Sequence, residues 1–215
     1  MKIGIYGGSF NPVHYGHLNI ARRAVEELKL DRLIVVPAGK SPFKAEVDQS
    51  LEVLDREYEL KFLAGAFAQV EKTVVDLREI ERGGISYAID TVREIAAENA
   101  GAELYFIIGE DSLEGLPRWK DIDELKKFCV FKTYPRTKES STAIREAFKA
   151  RKVRLNDDKR TVELVRDGLV RRGGYCPCRV QKLPEYFCPC EEFQTQLADR
   201  DFHGHCHCQL YRIGD

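Results

Sequence analysis

The side chains able to do chemistry are gathered at two distant places. Two of the five histidines, His14 and His17, stand three apart in GGSFNPVHYGH, directly after the apolar run that ends on Gly7 and Gly8. The other three, with six of the seven cysteines, crowd between Cys176 and Cys208. Imidazole N–H groups can donate to phosphate oxygens as negative charge shifts during transfer. A glycine pair lets backbone approach a phosphate closely, and a helix N-terminus after it adds unpaired N–H groups. The far end carries three C-x-C pairs: Cys176/Cys178, Cys188/Cys190 and Cys206/Cys208. Structural zinc favours wider spacing and takes four ligands, so six thiolates in C-x-C pairs exceed one zinc. A four-thiolate iron–sulfur cluster leaves two cysteines over, which fits a redox dithiol. Cys129 lies alone in an apolar stretch and reads as a small core residue.

The elements that must position these groups alternate in type. KIGIYGG reads as a buried strand, residues 16–29 as a helix and RLIVVPAG as a second strand. Helix 51–69, strand VVDLREI, helix 88–98, strand ELYFIIGED, a helix around 121–128 and strand CVFKTY follow. STAIREAFKARK is a helix with its Ser/Thr cluster at the N-terminus. This alternation implies an α/β fold, a Rossmann-like parallel sheet with right-handed crossovers. One more amphipathic helix covers 157–172, and beyond Gly173-Gly174 the chain reads as loops carrying the cysteines. The expected division is therefore 1–152, an α/β domain, and 153–215, a small, mostly helical and loop module.

Composition excludes several classes. The 215 residues are 43% hydrophobic, enough for a packed core, and the formal net charge is −1. Residues 153–215 hold ten basic and ten acidic side chains, so no basic field points to nucleic acid. No apolar run reaches membrane length, and Lys2 followed by a short strand-like run and glycines is not a leader pattern. A cytoplasmic protein is the expectation, and six clustered cysteines there favour metal or redox chemistry over disulfide staples.

GSFNPVHYGH resembles the nucleotidyltransferase superfamily signature G-x-F-x-P-x-H-x-G-H, and Ser140-Ser141-Thr142-Ala143-Ile144-Arg145 resembles its second hallmark. VVPAGKSPFK, ISYAIDT and FIIGEDSLEGLPRWKDIDEL, in that order, are similar to segments of bacterial nicotinate-mononucleotide adenylyltransferases. The likeness covers about residues 1–150. It implies adenylyl transfer from ATP to nicotinate mononucleotide, with Mg²⁺ neutralising the pyrophosphate. By the same resemblance Gly8, Ser9, Phe10, His14, His17 and Gly109 would hold ATP, with Asp111 by the nucleotide sugars. Ser141, Thr142 and Arg145 would bind the outer phosphates, and Lys44 would balance phosphate charge. The backbone near Ser86 and Tyr87 would meet the nicotinate carboxylate, and Trp119 would stack on the pyridine. Two departures stand out. CVFKTYPRT runs almost straight into KESSTAIR, and Ala88 replaces the usual threonine after Ser86-Tyr87, which leaves nicotinamide mononucleotide or another acceptor as an alternative.

CPC, CPC and CHC in order resemble the catalytic subunit of ferredoxin–thioredoxin reductase, over about residues 157–215. That resemblance implies a [4Fe–4S] cluster on Cys176, Cys188, Cys190 and Cys206. Cys178 and Cys208 would be the redox-active pair, with His207 close to both and shuttling a proton during dithiol chemistry. Ferredoxin and a thioredoxin-like protein would be the partners. A purely structural cluster, or zinc, is the plainer alternative, and His203 and His205 have no assigned role. A redox protein whose front domain only senses nucleotide is the rival reading of the whole chain.

Overall fold

The computed structural model describes residues 1–43, 53, 55–135 and 138–214; Lys44 lies outside the described residues. The chain divides into two compact units. One comprises Met1–Phe10, Gly16–Val47 and Val70–Lys138; the other comprises Asn11–Tyr15, Asp48–Gln69 and Glu139–Asp215.

The first unit is built on a sheet that among the described residues has five strands: β1 (Lys2–Gly8), β2 (Arg32–Pro37), β3 (Thr73–Val75), β4 (Glu103–Gly109) and β5 (Cys129–Tyr134). Their order is β3-β2-β1-β4-β5 and every pairing is parallel. Runs rich in Ile, Val, Leu and Phe make strands of this kind because both faces of a parallel sheet are covered. Helices α1 (Tyr15–Glu27), α3 (Arg78–Arg82), α4 (Ala88–Glu98) and α5 (Ile122–Phe128) separate them. Ile3, Ile5, Ile34, Val36, Phe106 and Ile108 from the strands, Ile89, Val92 and Ile95 from α4, and Leu125 form one buried cluster. Cys129 belongs to it, as expected. Its thiol donates to the Leu125 carbonyl at 3.4 Å, and burial pushes its pKa up to about 12. Strand order reverses between β1 and β4, the switch point at which open α/β sheets hold ligands beyond their carboxyl ends.

One expected strand is cut short. VVDLREI is a strand only through Val75. The Asp76 carboxylate accepts the Arg78 amide at 2.9 Å, a side-chain turn that competes with the ladder and starts α3. Arg78 then pairs with Asp76 and with Glu98.

The second unit holds α2 (Arg56–Phe67), α6 (Ser141–Ala150), α7 (Lys159–Arg171) and α8 (Glu191–Ala198). Its strands β6 (Arg154–Leu155), β7 (Gly204–His205) and β8 (Tyr211–Ile213) form a small antiparallel sheet ordered β6-β8-β7. The helix α8 and this sheet correct the expectation of loops after residue 174. In EEFQTQLA, Phe193 and Leu197 are four apart on one buried side, and Glu191 and Glu192 suit the positive end of the helix dipole. Helix α2 packs on α7 closely enough that a Cβ on Gly65 would lie 2.5 Å from the Val170 carbonyl oxygen. The N-caps Asp55, Ser140 and Asp158 each accept backbone amides at the head of α2, α6 and α7.

Candidate active site

In the first unit, a cavity of about 410 Å³ opens at the carboxyl ends of β1 and β4. Gly7 and Gly8 line it from β1 with Ser9 just beyond, Gly109 from β4 with Asp111 just beyond, and Ser86, Tyr87 and Trp119 from the segments around α4 and α5. A Cβ on Gly109 would lie 2.6 Å from Asp111 Oδ1, because the Asp111 carboxylate folds back over the strand end. Phe10 adopts φ +45° with its ring buried. That ring meets the His17 imidazole edge-on at 4.9 Å and Tyr6 at 5.2 Å, so the Phe of the signature fixes the second imidazole. Burial, helped by the charge of Asp111, pushes the Tyr6 hydroxyl well above its usual pKa, so it stays neutral.

Trp119 borders the cavity while its ring packs edge-on to Phe106 at 5.5 Å and Phe131 at 6.2 Å. It is therefore a wall of the cavity anchored in the core. Ser86 is buried, and its hydroxyl accepts the Gly39 amide at 2.9 Å. Its side chain is spent on the protein, which leaves the backbone as the part of this segment that can meet a ligand. Lys120 and Arg118 also line the cavity; Lys120 Nζ lies 4.4 Å from the Tyr87 ring centre and 3.7 Å from Asp90. Sequence reasoning missed these two cations and Glu79. The cations flank the singled-out tryptophan directly, which was the signal available for them.

In the second unit, the segment Asn11–Tyr15 meets the head of α6. The Ser141 hydroxyl donates to the Pro12 carbonyl at 2.9 Å. The Arg145 guanidinium donates to the Asn11 carbonyl and, at 3.2 Å, to the Thr142 hydroxyl. His14 is 8% exposed on this segment, so the first imidazole of the signature and the Ser-Ser-Thr helix share one compact unit. The Ser140 hydroxyl caps α6 by accepting the Ala143 amide at 3.3 Å.

The cysteines converge in the same unit. Cys206 and Cys208 sulfurs are 3.6 Å apart. The Cys208 thiol is hydrogen-bonded to Cys206 and Cys176, which lowers the pKa of both and raises that of Cys208. The Tyr211 amide donates to Cys206 Sγ at 3.3 Å. Cys188 is buried and its thiol donates to the Tyr211 hydroxyl at 3.9 Å; burial holds its pKa well up. Burial and the charges of Cys176 and Cys206 push Cys190 up to about 11. Cys178 is exposed; partial burial and then the charge of Cys176 raise its pKa. All seven cysteines are free, so Cys178 and Cys208 form no disulfide here. His207 is half-exposed, 4.0 Å from Glu192 Oε1. Among the described residues, no group of three or more His, Cys, Asp or Glu is arranged to hold a metal ion. The donor set is nonetheless sulfur-only and largely buried, and soft thiolates of that kind suit iron–sulfur chemistry.

A parallel sheet with a cavity at its switch point, glycines at the strand ends and an HxGH turn defines a nucleotidyltransferase fold. The chain belongs to the cytidylyltransferase-like family, whose model matches residues 5–157. It is 39% identical over 131 residues to a protein of Aliarcobacter butzleri named "probable nicotinate-nucleotide adenylyltransferase", covering 61% of this chain and 69% of that one. A Lactococcus lactis protein of the same name is 38% identical, covering 60% of this chain and 65% of its own length. Among solved structures, the Plasmodium falciparum nicotinic acid mononucleotide adenylyltransferase complexed with NaAD superposes with a TM-score of 0.50 at 18% identity, covering 69% of this chain and 82% of that one. A Vibrio parahaemolyticus structure, itself provisionally assigned as a nicotinate-nucleotide adenylyltransferase, gives 0.55 at 21% identity, covering 70% and 88%. These two show the fold. No helix among the described residues is long and apolar enough to cross a membrane.

Proposed function

We propose that the chain transfers the adenylyl group of ATP to nicotinate mononucleotide, a step of NAD biosynthesis. A phosphate oxygen of the mononucleotide attacks the α-phosphorus in line; the bond from that phosphorus to the bridging oxygen breaks, and pyrophosphate leaves. The observation that carries this reading is the cavity at the β1/β4 switch point, with Gly8, Ser9, Gly109 and Asp111 at the strand ends and Trp119 as a wall. Such a reaction needs positioning and charge stabilisation more than covalent catalysis. His14 and His17 hold the phosphates, and Arg145 with Ser141 and Thr142 binds the leaving pyrophosphate through guanidinium and helix N-terminus together. Mg²⁺ supplies charge neutralisation on that pyrophosphate. Lys44 keeps its role from the sequence. Trp119 carries the pyridine, and the amides around Ser86 and Tyr87 take its carboxylate. The test is adenylyl transfer by anaerobically purified protein with ATP, Mg²⁺ and either pyridine mononucleotide. Dinucleotide that disappears on His17→Ala supports the reading. Tight ATP binding without turnover for either acceptor would favour the nucleotide-sensing alternative.

For residues 153–215, we infer an iron–sulfur module. Cys176, Cys188, Cys190 and Cys206 would hold a [4Fe–4S] cluster, which supplies one-electron chemistry when bound. What supports this is the convergence of buried, mutually perturbed thiols around Cys206. Cys208 and the exposed Cys178 are the dithiol that remains, with His207 positioned by Glu192 as the proton carrier. A ferredoxin-like donor and a thioredoxin-like thiol partner are the corresponding proteins. Iron and acid-labile sulfide counted per chain after anaerobic reconstitution test it. Four of each, lost in Cys188→Ser, is expected; one zinc per chain with no labile sulfide would overturn it.

A further inference from the structure

Two cations border the cavity on either side of Trp119, and neither has a part in the reading above. They meet different rings. Arg118 ends a short turn, and its guanidinium lies 5.8 Å from the Phe43 ring on the loop after β2. Lys120 Nζ lies over the Tyr87 ring, 4.4 Å from its centre. The ring quadrupole attracts a cation at that distance, so the lysine's charge is held beside the segment Ser86–Tyr87–Ala88. The Asp90 carboxylate is 3.7 Å from the same nitrogen, too far for a hydrogen bond, and is shared with Arg93 at 3.6 Å. The head of α4 adds to the same sign. Tyr87 is its N-cap and makes no side-chain cap bond, and both Tyr87 and Ala88 border the cavity. The partial positive charge of that helix end thus lies beside the ammonium. Of the acids bordering the cavity, burial raises the pKa of Glu79, which favours its neutral form, and Asp111 sits beyond the end of β4.

We propose that Lys120 determines which pyridine the acceptor end takes, by setting its ammonium against an acidic ring substituent. The inference rests on the adenylyltransferase reading, which supplies the mononucleotide and puts its pyridine against Trp119. A ring carboxylate meets an unlike charge there. A ring carboxamide is neutral and gains only what the backbone amides offer it. Selectivity is the difference between those two affinities. The Lys120 side chain is 45% exposed, so the pair counts as a solvated one, which sets a preference of up to about fivefold.

The experiment measures kcat/KM for nicotinate and nicotinamide mononucleotide, and the calorimetric Kd of each alone. The proteins are wild type, Lys120→Met, Lys120→Arg and Arg118→Met. Methionine keeps an unbranched stem without the charge. Lys120→Met is expected to lower the nicotinate-to-nicotinamide ratio about fivefold, through the nicotinate values alone, and Lys120→Arg to restore it. The wild-type ratio should fall with added salt, and that of Lys120→Met much less. Arg118→Met removes a charge of the same sign and should leave the ratio within about twofold. An equal loss for both acceptors in Lys120→Met, or an equal fall of the ratio in Arg118→Met, would overturn the inference while leaving the transfer reading intact. If wild type binds the mononucleotides but makes no dinucleotide, the transfer reading fails and the ratio of Kd values decides Lys120. Binding of neither mononucleotide overturns both.

Discussion

Replacing Glu59 by glutamine removes a buried titratable carboxyl from the second unit and needs no substrate to read. The Glu59 side chain is 5% exposed, and neither carboxyl oxygen has a hydrogen-bond partner among the described residues. The nearest cation is Arg56, 4.0 Å away. The side chain borders a cavity of about 20 Å³ with Pro12, Phe62, Cys188 and Tyr211, room for a single water. Burial pushes its pKa from 4.5 up to about 8, against the pull of Arg56 and Arg145. An acid raised in the fold binds its proton more tightly there than in the unfolded chain. Its stabilising share is complete below the unfolded value of 4.5 and is lost as pH climbs toward 8. At about 1.4 kcal/mol per pH unit, wild type should lose roughly 2–3 kcal/mol from this group between about pH 5 and pH 7. Glu59→Gln stays neutral throughout. Urea unfolding of both proteins across this range cancels the titrations they share. Similar stability at the acid end, with glutamine ahead by roughly 2–3 kcal/mol at neutrality, is expected. Parallel curves would refute the assignment of a buried acid without a hydrogen-bond partner.

Three further substitutions follow from contacts. Gly65→Ala should destabilise by about 1–3 kcal/mol in urea, because the new Cβ meets the Val170 carbonyl at 2.5 Å; helix propensity alone would predict the opposite sign. Arg145→Lys keeps a charge but loses the fork that spans the Asn11 carbonyl and Thr142; KM for ATP should rise about tenfold with acceptor KM unmoved. Gly39→Ala should raise acceptor KM in the transfer assay, since its Cβ would lie 2.7 Å from the Glu79 carbonyl oxygen and disturb the Gly39 amide bond to the Ser86 hydroxyl.

The strands of the first unit were legible because runs such as LIVV and YFII are bounded by Gly or Pro, and the cavity was legible because HxGH follows the first of them. The end of β3 was not, since Asp76 captures an amide two residues on and no apolar pattern records that. Glu79 fell in the segment read as strand, so its burial went unseen. Glu59 had a local signal, a charge three residues before Phe62 on the buried side of α2. What no local pattern encodes is assembly at long range. Residues 153–215 share a compact unit with Asn11–Tyr15 and α2, pieces the sequence placed in the front domain. The C-x-C pairs were plain, but not that Cys208 would sit hydrogen-bonded between Cys176 and Cys206.

On the proposed reading, that shared unit gives the thiols a physical route to Arg145, the proposed phosphate-binding cation. Tyr211 is tied to two cysteines, by the Cys188 thiol on its hydroxyl and by its own amide on Cys206 Sγ. Its ring lies 5.2 Å from that of Phe148, which also meets Phe193 at 5.9 Å. Phe148 is three residues beyond Arg145 on α6, so a shift at Cys188 or Cys206 reaches the arginine through one aromatic contact. Oxidising the thiols should therefore change KM for ATP more than KM for the mononucleotide. Phe148→Leu, which loses aromatic contacts of about 0.5–1.5 kcal/mol each, should blunt that response without abolishing transfer. The measurement is KM for both substrates, in reduced and oxidised protein, for wild type and variant. Redox sensitivity of equal size in both proteins would show that the signal does not pass through Phe148. No sensitivity in wild type would mean that the two chemistries share a compact unit without sharing a control.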